Sequence, residues 1–140
     1  MNKICTSLEQ SKKLIELGID VNTADMHYST WTILNKGEYI LSPNQGETIE
    51  ELQENYGNQV IPAWSISALL NLMPPYLFEF ERGIDLNIYP SLNGKAWHCS
   101  YMPNAVENMK NDKFKQITKG DNLIDAAFEM VVWLKKNKNL

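Results

Sequence analysis

The sequence predicts an α+β fold in which an antiparallel sheet, made of a hairpin plus a three-stranded meander, packs against a buried C-terminal helix. Residues 121–134 contain no Gly or Pro, and apolar side chains cover most of the helical circumference. Residues 76–101 instead alternate apolar and polar side chains with a period of two. A helix that is apolar on most sides must be buried, and the apolar face of the meander is its natural partner.

The first 41 residues predict a helix followed by a hairpin. Either residue of the Thr6–Ser7 pair is suited to cap a helix that Gly18 ends. Residues 30–34 are rich in β-branched and aromatic side chains, and residues 39–41 follow across a short polar turn. Residues 20–29 show no clear periodicity, so no strand is predicted there.

Two further helices are predicted in the middle of the chain. Thr48 and Glu51 form a capping box for a short acidic helix that Gly57 ends. Pro62 suits a first helical turn, and residues 63–73 follow as a helix stopped by two prolines.

The rest of the chain predicts the meander and its covering helix. Strands are expected at 76–81, 84–89 and 97–101, separated by turn residues. A polar connection at 103–120 then leads to the last helix, which Asn122 is placed to cap. The predicted order is α-β-β-α-α-β-β-β-α.

Length and composition predict one soluble domain. The 140 residues are 44% apolar and 21% charged, so residues 1–140 are expected to form a single α+β domain. The apolar run at 130–134 is far shorter than the roughly 18 residues that a membrane span needs. The N-terminal residues lack the apolar segment of a secretory signal, which predicts a cytoplasmic location.

Charge disfavours a nucleic-acid partner. The formal net charge is −4, and the first 60 residues hold four lysines against nine aspartates and glutamates. The chain has one arginine, whereas nonspecific nucleic-acid binding needs a basic surface. Only the lysines within 110–119 form a small basic patch.

The cysteines and histidines match no metal or redox motif. Cys5 and Cys99 are too far apart for a zinc-binding pair, and the neighbours His98 and Cys99 should point to opposite faces of a strand. Structural roles are therefore favoured, and no metal, cofactor or catalytic residue is assigned. Whether Cys5, His27, His98 and Cys99 meet is left to the tertiary structure.

Four polar or aromatic residues of the meander are candidate binding residues. Glu79 and Glu81 should share a strand face with about 7 Å between them. Such a pair divides acid and base work in glycosidases, but carboxylates are equally common on solvated strand faces, and the second interpretation is favoured. Tyr89 and His98 would complete a pocket at this sheet.

Trp133 is the remaining candidate binding residue. It lies near the polar line of the last helix, four residues after Glu129. An aromatic side chain there either contacts a partner or packs beneath the 103–120 connection, and packing is favoured.

Several blocks of the sequence resemble a group of small uncharacterised proteins carried by gut Bacteroidetes and their phages or mobile elements. The blocks are 5–7, 23–26, 61–70, 74–75, 97–101 and 121–134. The resemblance spans most of the chain and implies no activity, cofactor or catalytic residue.

Two looser resemblances concern the end of the chain. Strands at 76–101 followed by a Gly120-Asp121 turn and an Ala-rich helix are similar to the ending of HicB-type antitoxins. The β-β-β-α order is also similar to double-stranded-RNA-binding domains. RNA binding is not expected, because Asp121 and Asp125 stand where that helix would carry basic residues.

The sequence favours a non-enzymatic protein-interaction module of a phage or mobile element, which binds another protein or itself. A well-specified core, exposed aromatic residues and the lack of a catalytic motif support this interpretation. One alternative is a small enzyme or metabolite-binding domain with its pocket near the 76–101 sheet. The other is a HicB-like antitoxin-type module.

Overall fold

The computed structural model describes residues 3–30, 38–79, 82–103, 116–138 and 140, with the side chains of 58, 76–79, 82–85, 102–103 and 116–117 left aside. Four helices and seven strands lie in these ranges. In chain order they are α1 (Leu8–Glu16), β1 (Met26–Thr30), β2 (Tyr39–Pro43), α2 (Ile49–Tyr56), β3 (Ile61–Ala63), α3 (Ile66–Leu72), β4 (Tyr76–Glu79), β5 (Arg82–Pro90), β6 (Trp97–Pro103), β7 (Gln116–Gly120) and α4 (Leu123–Lys136). The predicted α+β class is confirmed.

The chain divides into two compact units, residues 3–68 and residues 69–140. Each unit contains its own antiparallel sheet. The prediction of a single domain over residues 1–140 stays a prediction.

The sheet of the N-terminal unit has the strand order β2-β1-β3. The predicted hairpin is confirmed, with Thr30 opposite Tyr39 and Met26 opposite Pro43. Its first strand, however, starts at Met26, so the strand predicted at 30–34 begins too late, and residues 31–34 lie outside the described part. The sequence pattern did not predict the first residues of β1, because the buried face of this strand is polar. His27 is buried, and its Nδ1 lies 2.8 Å from Asn44 Oδ1.

The prediction of a helix from Pro62 onward is wrong at its start. Residues 61–63 form β3, which pairs with β1. The helix α3 begins only at Ile66, because Ser65 caps it: the Ser65 Oγ accepts a hydrogen bond from the Ala68 N–H at 3.3 Å.

Local signals located the other two helices of this unit correctly. Ser7 and Gln10 form a reciprocal capping box at the start of α1, and Thr48 and Glu51 do the same for α2. Gly18 follows α1 with φ of 84°, the left-handed conformation that glycine adopts without strain.

The sheet of the C-terminal unit has the strand order β4-β5-β6-β7. The predicted meander is confirmed as its first three strands, although residues 80 and 81 lie outside the described part. The connection predicted over 103–120 is wrong at its end, where residues 116–120 form a fourth strand paired with β6. This strand is short and partly polar, and only its pairing with β6 defines it.

The helix α4 packs on β6 and β7, as predicted for the buried C-terminal helix. Asn122 caps it through an Oδ1 that accepts from the Asp125 N–H at 2.9 Å. Its buried residues are Ile124, Ala126, Ala127, Phe128, Met130, Val131, Val132 and Leu134. Among the described residues, no helix is long and apolar enough to cross a bilayer.

Candidate functional site

Tyr89 and His98, two of the predicted site residues, are brought together by the second sheet. They lie directly opposite each other on β5 and β6. Their rings stack with centroids 5.1 Å apart and an interplanar angle of 20°. Cross-strand aromatic stacking of this kind stabilises a sheet and also forms a flat surface on which a ligand can lie.

This stacked pair lies on the face of the sheet that α4 does not cover. Thr118, opposite Cys99 on β7, donates from its Oγ1 to the Ala126 carbonyl of α4 at 2.8 Å. Because side chains alternate along a strand, His98 and Ser100 point away from the face that carries Cys99. The two faces of β6 therefore differ: one packs against α4, and the other carries Tyr89, His98 and Ser100.

Two polar atoms of this second face have no hydrogen-bond partner in the described part of the chain. They are His98 Nδ1 and Ser100 Oγ, both closed to solvent. An imidazole nitrogen or a hydroxyl in such a position costs free energy, since folding removes its hydrogen bonds to water. Both atoms are unreachable for a ligand that diffuses from solvent in this conformation.

Ser100→Ala is expected to raise the free energy of unfolding by about 1 kcal/mol, because it removes a buried hydroxyl that finds no hydrogen-bond partner among the described residues. Urea unfolding followed by far-UV circular dichroism measures the change. Ser11→Ala is the matched control, since the Ser11 Oγ lies 2.8 Å from Thr6 Oγ1 in an equally buried place. We expect that control to lose about 1 kcal/mol. Equal losses in both variants would show that Ser100 has a partner.

The remaining predicted site residues do not join this pair. Glu79 is opposite Arg82, seven residues along β5 from Tyr89, which is roughly 23 Å at the rise of a strand. Glu81 lies outside the described residues. Trp133 is half-buried on α4, the helix that covers the opposite face of the sheet. The pocket predicted from these residues is therefore not assembled by the described part of the sheet.

The cysteines and histidines also stay apart within each unit. Cys5 Sγ lies 3.5 Å from the Tyr28 hydroxyl, whereas the neighbouring His27 contacts Asn44 on the other face of β1. Among the described residues, no three His, Cys, Asp or Glu side chains are placed to hold a metal ion.

Neither thiol suits nucleophilic chemistry at neutral pH. Burial raises the pKa of the Cys99 thiol to about 11. Burial is also the main cause that raises the pKa of Cys5. Because the thiolate is the reactive form, both groups are chiefly packing residues.

A second surface, which the sequence did not indicate, is the outer edge of β2. The Asn44 N–H donates to the Asp25 carbonyl at 3.1 Å, in line with the β1–β2 register. Hydrogen-bonded pairs alternate along an antiparallel ladder, so Ser42 and Ile40 also bond to β1. The intervening residues of β2 must then point their backbone groups away from the sheet.

We call this row of outward backbone groups the β2 edge; it consists of the N–H and C=O groups of Tyr39 and Leu41 and the C=O group of Pro43. No described strand pairs with it. The side chain of Tyr39 is 42% exposed and that of Ile40 is 47% exposed. An edge with unpaired amides and exposed apolar side chains is a template for another strand.

The opposite edge of the same sheet is closed. Pro62 lies opposite His27, whose own backbone groups face β2, so Pro62 occupies the outward position of β3. A proline has no N–H to offer there. Beyond β3, the Thr6 N–H donates to the Trp64 carbonyl at 2.9 Å. Among the described residues, the sheet is therefore open at the β2 edge and closed at β3.

No protein-family model, curated protein or solved structure matches this chain. A functional assignment therefore rests on the geometry of the two surfaces described above.

Proposed function

We propose that this protein is a non-enzymatic binding module that takes an extended segment of a partner protein onto the β2 edge. The observation that supports the proposal is the contrast between the two edges of one sheet. Pro62 closes one edge, while the other presents two N–H donors and exposed apolar side chains. Strand addition to such an edge is a common mode of peptide recognition, in which backbone hydrogen bonds supply affinity.

The expected affinity is modest. The β2 edge offers two donors and three acceptors, and each backbone hydrogen bond contributes about 1 kcal/mol net. Burial of the exposed parts of Tyr39 and Ile40 adds to this, while the loss of motional freedom on association opposes it. We therefore expect a transient complex with a Kd on the order of micromolar.

The geometry favours this function over a metabolite-binding pocket at the second sheet. His98 Nδ1 and Ser100 Oγ, which have no hydrogen-bond partner among the described residues, are closed to solvent. Glu79 of β4 lies opposite Arg82, at the end of β5 that is far from Tyr89. A setting in a phage or mobile element, and a HicB-like antitoxin role, rest on sequence resemblance alone.

Tyr39→Pro is expected to weaken peptide binding at least about tenfold while leaving the fold intact. The substitution removes an outward N–H that β1 does not use, and edge strands tolerate proline. The test is a selection of displayed random peptides on the full-length chain, followed by fluorescence anisotropy of the enriched peptides. We expect peptides that bind the wild type and are lost with Tyr39→Pro.

Tyr39→Ala is the matched control, because it shortens the same side chain but keeps the N–H. It should lose less affinity than Tyr39→Pro, and circular dichroism should show both variants folded. If no peptide is enriched, or if the enriched peptides bind Tyr39→Pro as well as the wild type, the proposed function is wrong.

A further inference from the structure

The stretch from residue 38, just before β2, to the end of α2 carries acidic side chains and no basic ones. Residues 38–59 contain five glutamates and no lysine or arginine. The five are Glu38, Glu47, Glu50, Glu51 and Glu54, and all are exposed. The first of them directly precedes the β2 edge, so a strand that pairs with this edge enters a region of negative potential.

We infer that the partner segment is basic: an extended peptide with β-branched or aromatic residues beside Tyr39 and Ile40 and with Lys or Arg flanking them. This inference rests on the proposed function and names the class of partner. Charge complementarity steers such a peptide toward the edge and raises its association rate, whereas an acidic peptide is repelled.

The same charges disfavour a second copy of this chain as the occupant. Symmetric pairing of two β2 edges would bring two acidic stretches together, with no lysine or arginine in either stretch to offset the repulsion. The whole N-terminal unit holds four lysines and nine acidic residues, so its net charge is also negative and two copies would repel each other. A nucleic-acid strand is disfavoured for the same reason.

The test compares two synthetic peptides with the same alternating Val and Thr core, one flanked by lysines and the other by glutamates. Fluorescence anisotropy with the full-length chain at low salt should give at least about tenfold tighter binding for the lysine peptide. The difference should shrink to about threefold at 0.5 M salt, where the Debye length falls to a few ångströms.

A charge variant carrying Glu38→Gln, Glu47→Gln and Glu54→Gln isolates the electrostatic contribution. It leaves in place the two glutamates of the first turn of α2, which favour the helix start. We expect the preference for the lysine peptide at low salt to fall from about tenfold to about threefold. Tyr39→Pro should weaken the binding of both peptides at least about tenfold.

The outcomes separate this inference from the proposed function. Equal binding of both peptides, lost with Tyr39→Pro, overturns the basic partner but leaves strand capture standing. If neither peptide binds, the inference of a basic partner is also wrong. The display selection then tests strand capture independently. Analytical ultracentrifugation tests for a dimer of this chain. A dimer that is lost in the Tyr39→Pro variant would identify a second copy as the occupant of the β2 edge and would also overturn the basic partner.

Discussion

Gly120→Ala is expected to lower the free energy of unfolding by about 3 kcal/mol, the upper range for a side chain forced into a packed site. A Cβ at this position would lie 2.4 Å from the Ala126 nitrogen and 2.7 Å from the Asp125 Cβ. The first of these atoms is backbone in the first turn of α4, so no rotamer change relieves the clash. The helix must move away from β7, which disturbs its packing on the sheet. Urea unfolding followed by far-UV circular dichroism measures the loss.

Gly94→Ala is the matched control for this prediction. Gly94 has φ of +69°, but no described atom beyond its two chain neighbours lies within 4 Å of the position of an added Cβ. Only the strain of a left-handed alanine applies, at about 1 kcal/mol. A loss for Gly120→Ala no larger than that of the control would contradict the close approach of α4 to β7.

Trp64→Ala is expected to lower the free energy of unfolding by about 4 kcal/mol, which is in the range measured for truncation of a large buried aromatic side chain. Trp64 has no exposed surface, and its indole N–H donates to Thr23 Oγ1 at 2.9 Å. The substitution leaves a cavity beside the segment that joins β3 to α3. It also removes the indole N–H that donates to the Thr23 hydroxyl, which keeps its own hydrogen bond to the Asp20 carbonyl. The same urea titration measures this change.

Trp64→Phe separates the contribution of the indole hydrogen bond from that of volume. It keeps most of the buried ring, so we expect it to lose about 1–2 kcal/mol. The backbone N–H of residue 64 still donates to Thr6 Oγ1, at 3.1 Å in the wild type, in both variants. If the free energy of unfolding of Trp64→Ala lies within about 1 kcal/mol of the wild-type value, Trp64 is not a central core residue of the N-terminal unit.

The helices that the sequence predicted correctly are those with strong local signals. The capping boxes at Ser7 and Thr48 and the Asn122 cap act over three residues, so they are visible without knowledge of the fold. The same holds for the meander, where alternation and turn residues define each strand locally. In these segments, local preference and tertiary structure agree.

The three strands that were misplaced or missed depend on partners distant in sequence. β1 has a polar buried face because Asn44 satisfies His27, and β3 is a strand because β1 lies beside it. β7 is likewise defined by its pairing with β6. Such strands carry weak intrinsic propensity, since packing and pairing decide them.

The candidate surfaces divide in the same way. Strand alternation was sufficient to expect Tyr89 and His98 at one sheet, and the structure stacks their rings. Strand alternation was not sufficient to place Glu79, because the pairing register of β4 with β5 sets the distance between Glu79 and Tyr89.

The sequence by itself determined the α+β class, the caps of α2 and α4, the buried C-terminal helix and the acidic character of the first half of the chain. Only the tertiary structure decided which strand of the first sheet has an open edge. An edge exists where pairing stops, and pairing joins segments that are separated in sequence by tens of residues. The open amides of Tyr39 and Leu41, and the proline that closes the other side, are consequences of that pairing.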